Sequence, residues 1–236
     1  MQNEVLFLLL ALIVFAATLL AFRLGRTWLI ALVAVQAALF NIFVVKQFDL
    51  FGLAVTGGNV LYGASFLATD ILNEHFGRRV AQQAVLAGFG AGVFMLLTTQ
   101  LTLAFTPNDF DTAQTAFATI FSPTTRIVLA SLATYLLVQS FDVWFFDWLK
   151  KKTAGRALWL RNNLSTLVSQ AFDSILFTAA GLLIIPAFAS VPWLVGFVPA
   201  DAFVEIVLFT WLTKAVVAVL DTPVMYLTRS IRSLDS

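Results

Sequence analysis

A few polar side chains stand out as groups able to do chemistry in an otherwise apolar chain. Asn73 and Glu74 follow Asp70 by three and four residues, a spacing that puts all three on one face of a helix. Gln139 and Asp142 are again three apart. Thr166, Gln170 and Asp173 follow one another by four and then three residues, behind Arg161 and Asn163, and form a stripe that runs into an apolar segment. Lys214 stands alone in the last apolar stretch, with Asp221 two turns further along. Carboxylates and amides accept hydrogen bonds from N–H groups, and a carboxylate neutralises an amine. The set therefore suits a cation or a small, planar, nitrogen-rich solute.

Each group also has a plainer reading. Asp70 and Glu74 can pair with Arg78 and Arg79 and simply stabilise a helix end. Asp147 is a partner for Lys150 or Lys151, and His75 is interfacial beside a basic connector. Lys214 can neutralise Asp173 or Asp142 as a fixed ion pair, or move between partners during transport.

The elements that must carry these groups follow from composition. Of 236 residues, 60% are hydrophobic and 11% charged, and mean hydropathy is +0.92. Soluble domains carry about 25% charged residues, so this chain cannot clothe itself for water. A membrane-spanning helix needs about 20 mostly apolar residues. Seven segments qualify: 4–22, 27–45, 56–75, 80–105, 124–149, 162–187 and 200–227. None of the connectors is long enough to be a separate domain, so residues 1–236 read as a single integral membrane domain. The first segment follows Met-Gln-Asn-Glu, with no basic region ahead of it, and reads as a span rather than a secretory signal. Counted from residue 162, Asp173 lies about 11 residues, roughly 16 Å, inside its span, too deep for its carboxylate to reach the interface.

Basic residues alternate between connectors. Arg23, Arg26, Arg78, Arg79, Lys150, Lys151, Lys152, Arg156, Arg161, Arg229 and Arg232 fall in every second one. The others hold Lys46 and Arg126 beside Asp49, Asp109, Asp111 and Asp201. By the positive-inside rule the N-terminus is external and the C-terminus cytoplasmic. Connector 106–123 is amphipathic and closes with the helix-start signal Ser122-Pro123; it reads as a short helix on the outer face or an ordinary loop. Pro186, Pro192, Gly196 and Pro199 break the chain before the last span, and Trp144, Trp148, Trp159, Trp193 and Tyr226 read as interface anchors.

Several function classes are excluded. The chain has no cysteine and one histidine, so thiolate and multi-histidine metal sites are ruled out, and no cofactor is expected. No Gly-x-Ser-x-Gly, His-Glu-x-x-His or phosphate-binding loop occurs, so an enzyme is not expected. A net charge of +1 gives no case for nucleic acid.

The run Phe66 to Arg79, with Thr69, Asp70, Asn73, Glu74 and Gly77, resembles a segment of the vitamin uptake transporter family, whose members are queuosine precursor transporters. The stretch Arg126 to Lys150 with Gln139, Asp142 and Phe145 is similar too, as are Arg161–Thr166 followed by Gln170–Asp173, and Lys214 with Pro223 and Tyr226. The likeness covers about residues 56–228, with four polar patterns in the same order. It implies an all-α bundle of six core transmembrane helices like the substrate-binding subunits of energy-coupling-factor transporters, to which this chain adds the N-terminal span 4–22 ahead of a core at 27–228. It also implies import, across the inner membrane, of 7-deazaguanine precursors of a modified tRNA base, such as 7-cyano- and 7-aminomethyl-7-deazaguanine.

A guanine-like edge presents a ring N–H and an exocyclic amine, which a carboxylate accepts as a pair. The expected cavity is lined by Asp70, Asn73, Glu74, Gln139, Asp142, Asn163, Gln170 and Asp173, with Lys214 as counter-ion. Asp173 or Asp142 would hold the ring, and Asp70 and Glu74 would control the cytoplasmic gate. The rival readings are a carrier of another vitamin or nucleobase, a lipid-acting membrane enzyme and a membrane scaffold. A homo-oligomer and a separate energising module are both left open.

Overall fold

A computed structural model describes residues 2–121, 125–183 and 199–235. Ser122, Pro123, Pro186, Pro192, Trp193 and Gly196 lie outside the described residues, as does the end of the expected span 162–187. A long helix forms on each of the seven expected segments: α1 (Gln2–Leu24), α2 (Arg26–Phe43), α3 (Asn59–Phe76), α4 (Arg78–Leu103), α6 (Thr125–Lys152), α7 (Leu158–Phe177) and α8 (Phe203–Leu227). At 1.5 Å per residue, helices of 18 to 28 residues are about 27–42 Å long, from just under to well over the roughly 30 Å hydrocarbon layer. The protein is an all-α polytopic membrane protein.

Five of the seven are both long and apolar enough to cross a membrane on those grounds alone; α3 and α7 are not among them. The reason is position. α3 packs against each of the other six long helices, and every residue from Gly63 to Asn73 is buried. A helix shielded from lipid by its neighbours can carry polar groups, and α3 and α7 carry most of them. The outer helices are inverted: α1 presents Leu8, Leu12 and Ile13, and α8 presents Val204, Leu208 and Leu212, to the surroundings.

Consecutive helices run antiparallel, so the connectors fall at two ends. One end gathers Gly25, Gly77, residues 153–157 and the C-terminal tail, and with them the basic residues of the alternating pattern. Two of its turns are a single residue long, Gly25 at φ 117° and Gly77 at φ 87°, a left-handed conformation that a side chain resists. The tail is tied in: Asp235 accepts from the Arg26 N–H at 2.7 Å, and the Leu234 N–H donates to the Arg23 carbonyl.

At the opposite end, residues 47–56 form a hairpin, β1 (Gln47–Leu50) against β2 (Leu53–Thr56), turned on Phe51 and Gly52. There too lies α5 (Gln114–Phe121), the short helix expected in connector 106–123, held by a 2.6 Å hydrogen bond from Gln100 to the Phe121 carbonyl.

Candidate functional site

The polar stripe of α7 is the organising feature. Its side chains recur every three or four residues down the buried face, and each rung meets an acid. Asp173, nearest the hairpin end, accepts from the Tyr62 hydroxyl of α3 at 2.5 Å and forms an ion pair with Lys214 of α8. One turn down, Ser169 donates to Asp142 of α6 at 2.8 Å. Thr166 reaches Asp70 of α3 at 3.4 Å, and Asn162 donates to Asp221 of α8 at 2.8 Å. At the basic end, Arg161 donates to Glu74 of α3 at 2.5 Å. Five carboxyls from four helices are thus strung along one line through the bundle.

The top rung is the floor of a cavity of about 360 Å³, open toward the hairpin end. Small-molecule sites run from roughly 300 to 1,000 Å³, so one small ligand fits. The walls are mainly apolar, with Phe40, Met95, Phe121, Leu132 and Phe177, and Asn41 and Asn59 add amides. Asp173 and Lys214 are the charged residues lining it among the described residues. Tyr62 is held edge-on by Phe40, with centroids 5.0 Å apart, and Lys214 lies 5.0 Å from the Tyr62 ring. Trp211, donating to the Leu167 carbonyl at 2.9 Å, fixes α8 against α7 beside the pair. An apolar chamber with one zwitterionic floor can orient a flat polar molecule by its edge.

The other end is locked. Glu74 takes Arg161 at 2.5 Å and Arg229 at 3.4 Å on one oxygen, and the Lys150 ammonium lies 3.6 Å from the other. Lys150 also donates to the Glu74 carbonyl at 2.6 Å, satisfying a carbonyl at the C-terminus of α3. Glu74 therefore pairs across the bundle with Arg161 rather than with its neighbours Arg78 and Arg79. Asp147 pairs with Lys151 at 2.7 Å, as its position suggested.

Of the nine expected site residues, Asp173 and Lys214 line the cavity and Lys214 takes Asp173 as its partner. Asp70, Asp142 and Gln170 are buried below the floor, and Glu74 belongs to the basic-end lock. The amides tie helices together. Gln139 donates to Ser65 at 2.8 Å, Asn73 donates to the Val143 carbonyl at 2.7 Å, and Asn163 donates to Thr222 at 2.7 Å. One chamber shared by all nine is not what forms; the polar groups stack in depth. Tyr62 belongs to the polar residues of α3, four before Phe66 and eight before Asp70, but is not one of the nine expected site residues.

A family model described as "Putative vitamin uptake transporter" matches residues 56–228. A relative from Bacillus subtilis (strain 168), named "Probable queuosine precursor transporter", is 36% identical over 228 residues, covering 96% of this chain and 94% of the relative. No solved structure matches the chain.

Proposed function

The chain belongs to the vitamin uptake transporter family, and from that premise we propose that it imports queuosine precursors, 7-cyano- and 7-aminomethyl-7-deazaguanine, through the cavity above Asp173. It is a multi-pass membrane transporter rather than an enzyme. The membrane is the cytoplasmic one. By the positive-inside rule the basic end faces the cytoplasm, and on that reading the cavity mouth, the hairpin and the N-terminus lie outside.

The observation that carries this reading is the ion-paired floor. Asp173 has both oxygens engaged, by Tyr62 and by Lys214. A 7-deazaguanine offers a ring N–H and an exocyclic amine side by side, which replace those two donors on the carboxylate. Lys214, released from Asp173, then donates to the adjacent ring carbonyl, and the heterocycle lies among Phe40, Phe177 and Tyr62. Exchange of one set of donors for another keeps the buried carboxylate satisfied throughout.

Release inward requires the opposite end to open. Glu74 with Arg161, Lys150 and Arg229 is the closure there, which supports an outward-open reading of this arrangement. Cells that depend on an external supply of 7-cyano-7-deazaguanine test the reading. Asp173→Ala should abolish uptake while the protein still inserts in the membrane at normal levels. Normal salvage of the precursor by that variant would refute the assignment.

A further inference from the structure

The middle of the α7 stripe differs from its ends in a way that the import reading does not use. Asp70, Asp142 and Asp221 are 0%, 0% and 1% exposed, on three different helices. Among the described residues no ion pair reaches any of them; their hydrogen-bond neighbours outside the acids are Thr166, Ser169, Ser165 and Asn162, all neutral. A buried carboxylate without a counter-charge is costly, and three in one region are more so.

The donor arithmetic identifies what is missing. Asp70 spends one oxygen on Thr166 and Asp142 spends one on Ser169. The second oxygen of each, Oδ1 of Asp70 and Oδ2 of Asp142, is buried with no donor. The two carboxyls are close enough to interact, and the Ser165 hydroxyl stands beside Asp142 as well. Two carboxylates cannot bond to each other, because neither has a hydrogen to give. A single added proton bonds to one and is accepted by the other, and both orphaned oxygens are then satisfied. Gln170, 1% exposed on the same stripe, adds a third acceptor, Oε1, with no donor, so the region is short of hydrogens rather than of acceptors. A hard metal cation recruits several oxygens at once, and among the described residues no grouping of acids is arranged to hold one.

Apart from Asp221 of α8, the charged groups of the surrounding helices are committed elsewhere or lie at helix ends. From α7, Asp173 is held by Lys214 of α8 and Arg161 by Glu74 of α3. On α6, Asp147 is held by Lys151, while Lys150 is drawn to Glu74. On α4, Arg78 and Arg79 sit at the basic end, and α1 and α2 place Glu4, Arg23 and Arg26 only at helix ends.

We propose that the Asp70–Asp142 pair, with Asp221 beside it, is a proton-binding site that couples solute import to the proton gradient. This rests on the import reading and supplies its energy source. The proton enters from the cavity by way of Asp173 and Ser169, forms an O–H bond on one carboxyl and is accepted by the other. It leaves toward the Glu74 end, restoring two carboxylates. With the proton bound, α3, α6 and α7 share a closed hydrogen-bond network. Without it, two like charges meet in a dry interior and drive the helices apart, so occupancy of the site biases the conformational equilibrium.

Two measurements on the full-length protein in lipid test this. In proteoliposomes, labelled 7-cyano-7-deazaguanine should accumulate under a one-unit inward pH gradient by up to about tenfold, the limit for one proton per solute. Asp70→Asn and Asp142→Asn should each lose that accumulation, whereas Asp147→Asn, at the exposed basic end, should retain it. A wild type that exchanges the solute but ignores the pH gradient, or follows a sodium gradient instead, overturns the proton site while leaving the import reading intact. A wild type that exchanges no precursor overturns the import reading.

The proton site is then decided by infrared spectroscopy, which needs no solute. A protonated-carboxyl stretch that shifts in D2O should be present in the wild type, reduced in Asp70→Asn and in Asp142→Asn, and kept in Asp173→Asn. Its absence from the wild type overturns the site.

Discussion

The ends of the α7 stripe and its middle solve one problem in opposite ways. At both ends a carboxylate is matched by a cation from another helix, buried Asp173 by Lys214 and half-buried Glu74 by Arg161. In the middle, Asp70, Asp142 and Asp221 receive only hydroxyl and amide donors. A matched pair holds its charge in place, which suits a ligand floor and a lock. A pair of unmatched acids is most stable inside the bundle when its members share a hydrogen, which suits a group that takes up and gives away protons. The same residue type thus serves three purposes, set by what stands opposite it.

Breaking the lock should have the largest effect on stability. Arg161 is 0% exposed, so Glu74→Leu strands a buried guanidinium, at a cost of about 3–5 kcal/mol. Thermal unfolding of the purified protein should show a large loss, and Arg161→Met in the same background should recover part of it. An unchanged melting profile in Glu74→Leu would remove the distinction between ends and middle.

At the cavity end the expected effect is smaller and of opposite sign. Tyr62 competes with the solute for Asp173, so Tyr62→Phe should raise affinity for 7-cyano-7-deazaguanine by about fivefold, roughly 1 kcal/mol. Weaker binding by that variant in a titration would mean that the hydroxyl contacts the solute rather than making way for it.

The middle should respond least. Asn in place of Asp70 or Asp142 supplies the hydrogen that the bare pair lacks, so each variant should unfold within about 1 kcal/mol of the wild type. A loss as large as that of Glu74→Leu would show the middle acids to be ion-paired like the ends.

Much of this architecture is written in residue spacing. Seven helices follow from bilayer thickness, and the α7 stripe follows from repeats of three and four residues, both of which are local properties. Depth and rotation are not local. Nothing in the spacing of Gln139 and Asp142 tells whether that face meets the cavity or lies beneath it, since this depends on how α6 turns against α3 and α7. Glu74 shows the same limit: Arg78 and Arg79 are its neighbours along the chain, yet its partner Arg161 is 87 residues away. Two signals were present but weak. Alternation of polar and apolar residues in Gln47-Phe48-Asp49-Leu50, followed by Phe51-Gly52, marks the hairpin. Tyr62 falls on the polar helix α3, where an aromatic reads as packing until its hydroxyl is seen on Asp173.

The central claim is that the Asp173 carboxylate at the cavity floor holds the deazaguanine edge, and equilibrium binding to the purified protein tests it most directly. Wild type and Asp147→Asn should bind 7-cyano-7-deazaguanine saturably with matching affinity, and Asp173→Asn should bind it about 100-fold more weakly, the worth of one to two charge-assisted hydrogen bonds. Equal affinity in wild type and Asp173→Asn would contradict the account.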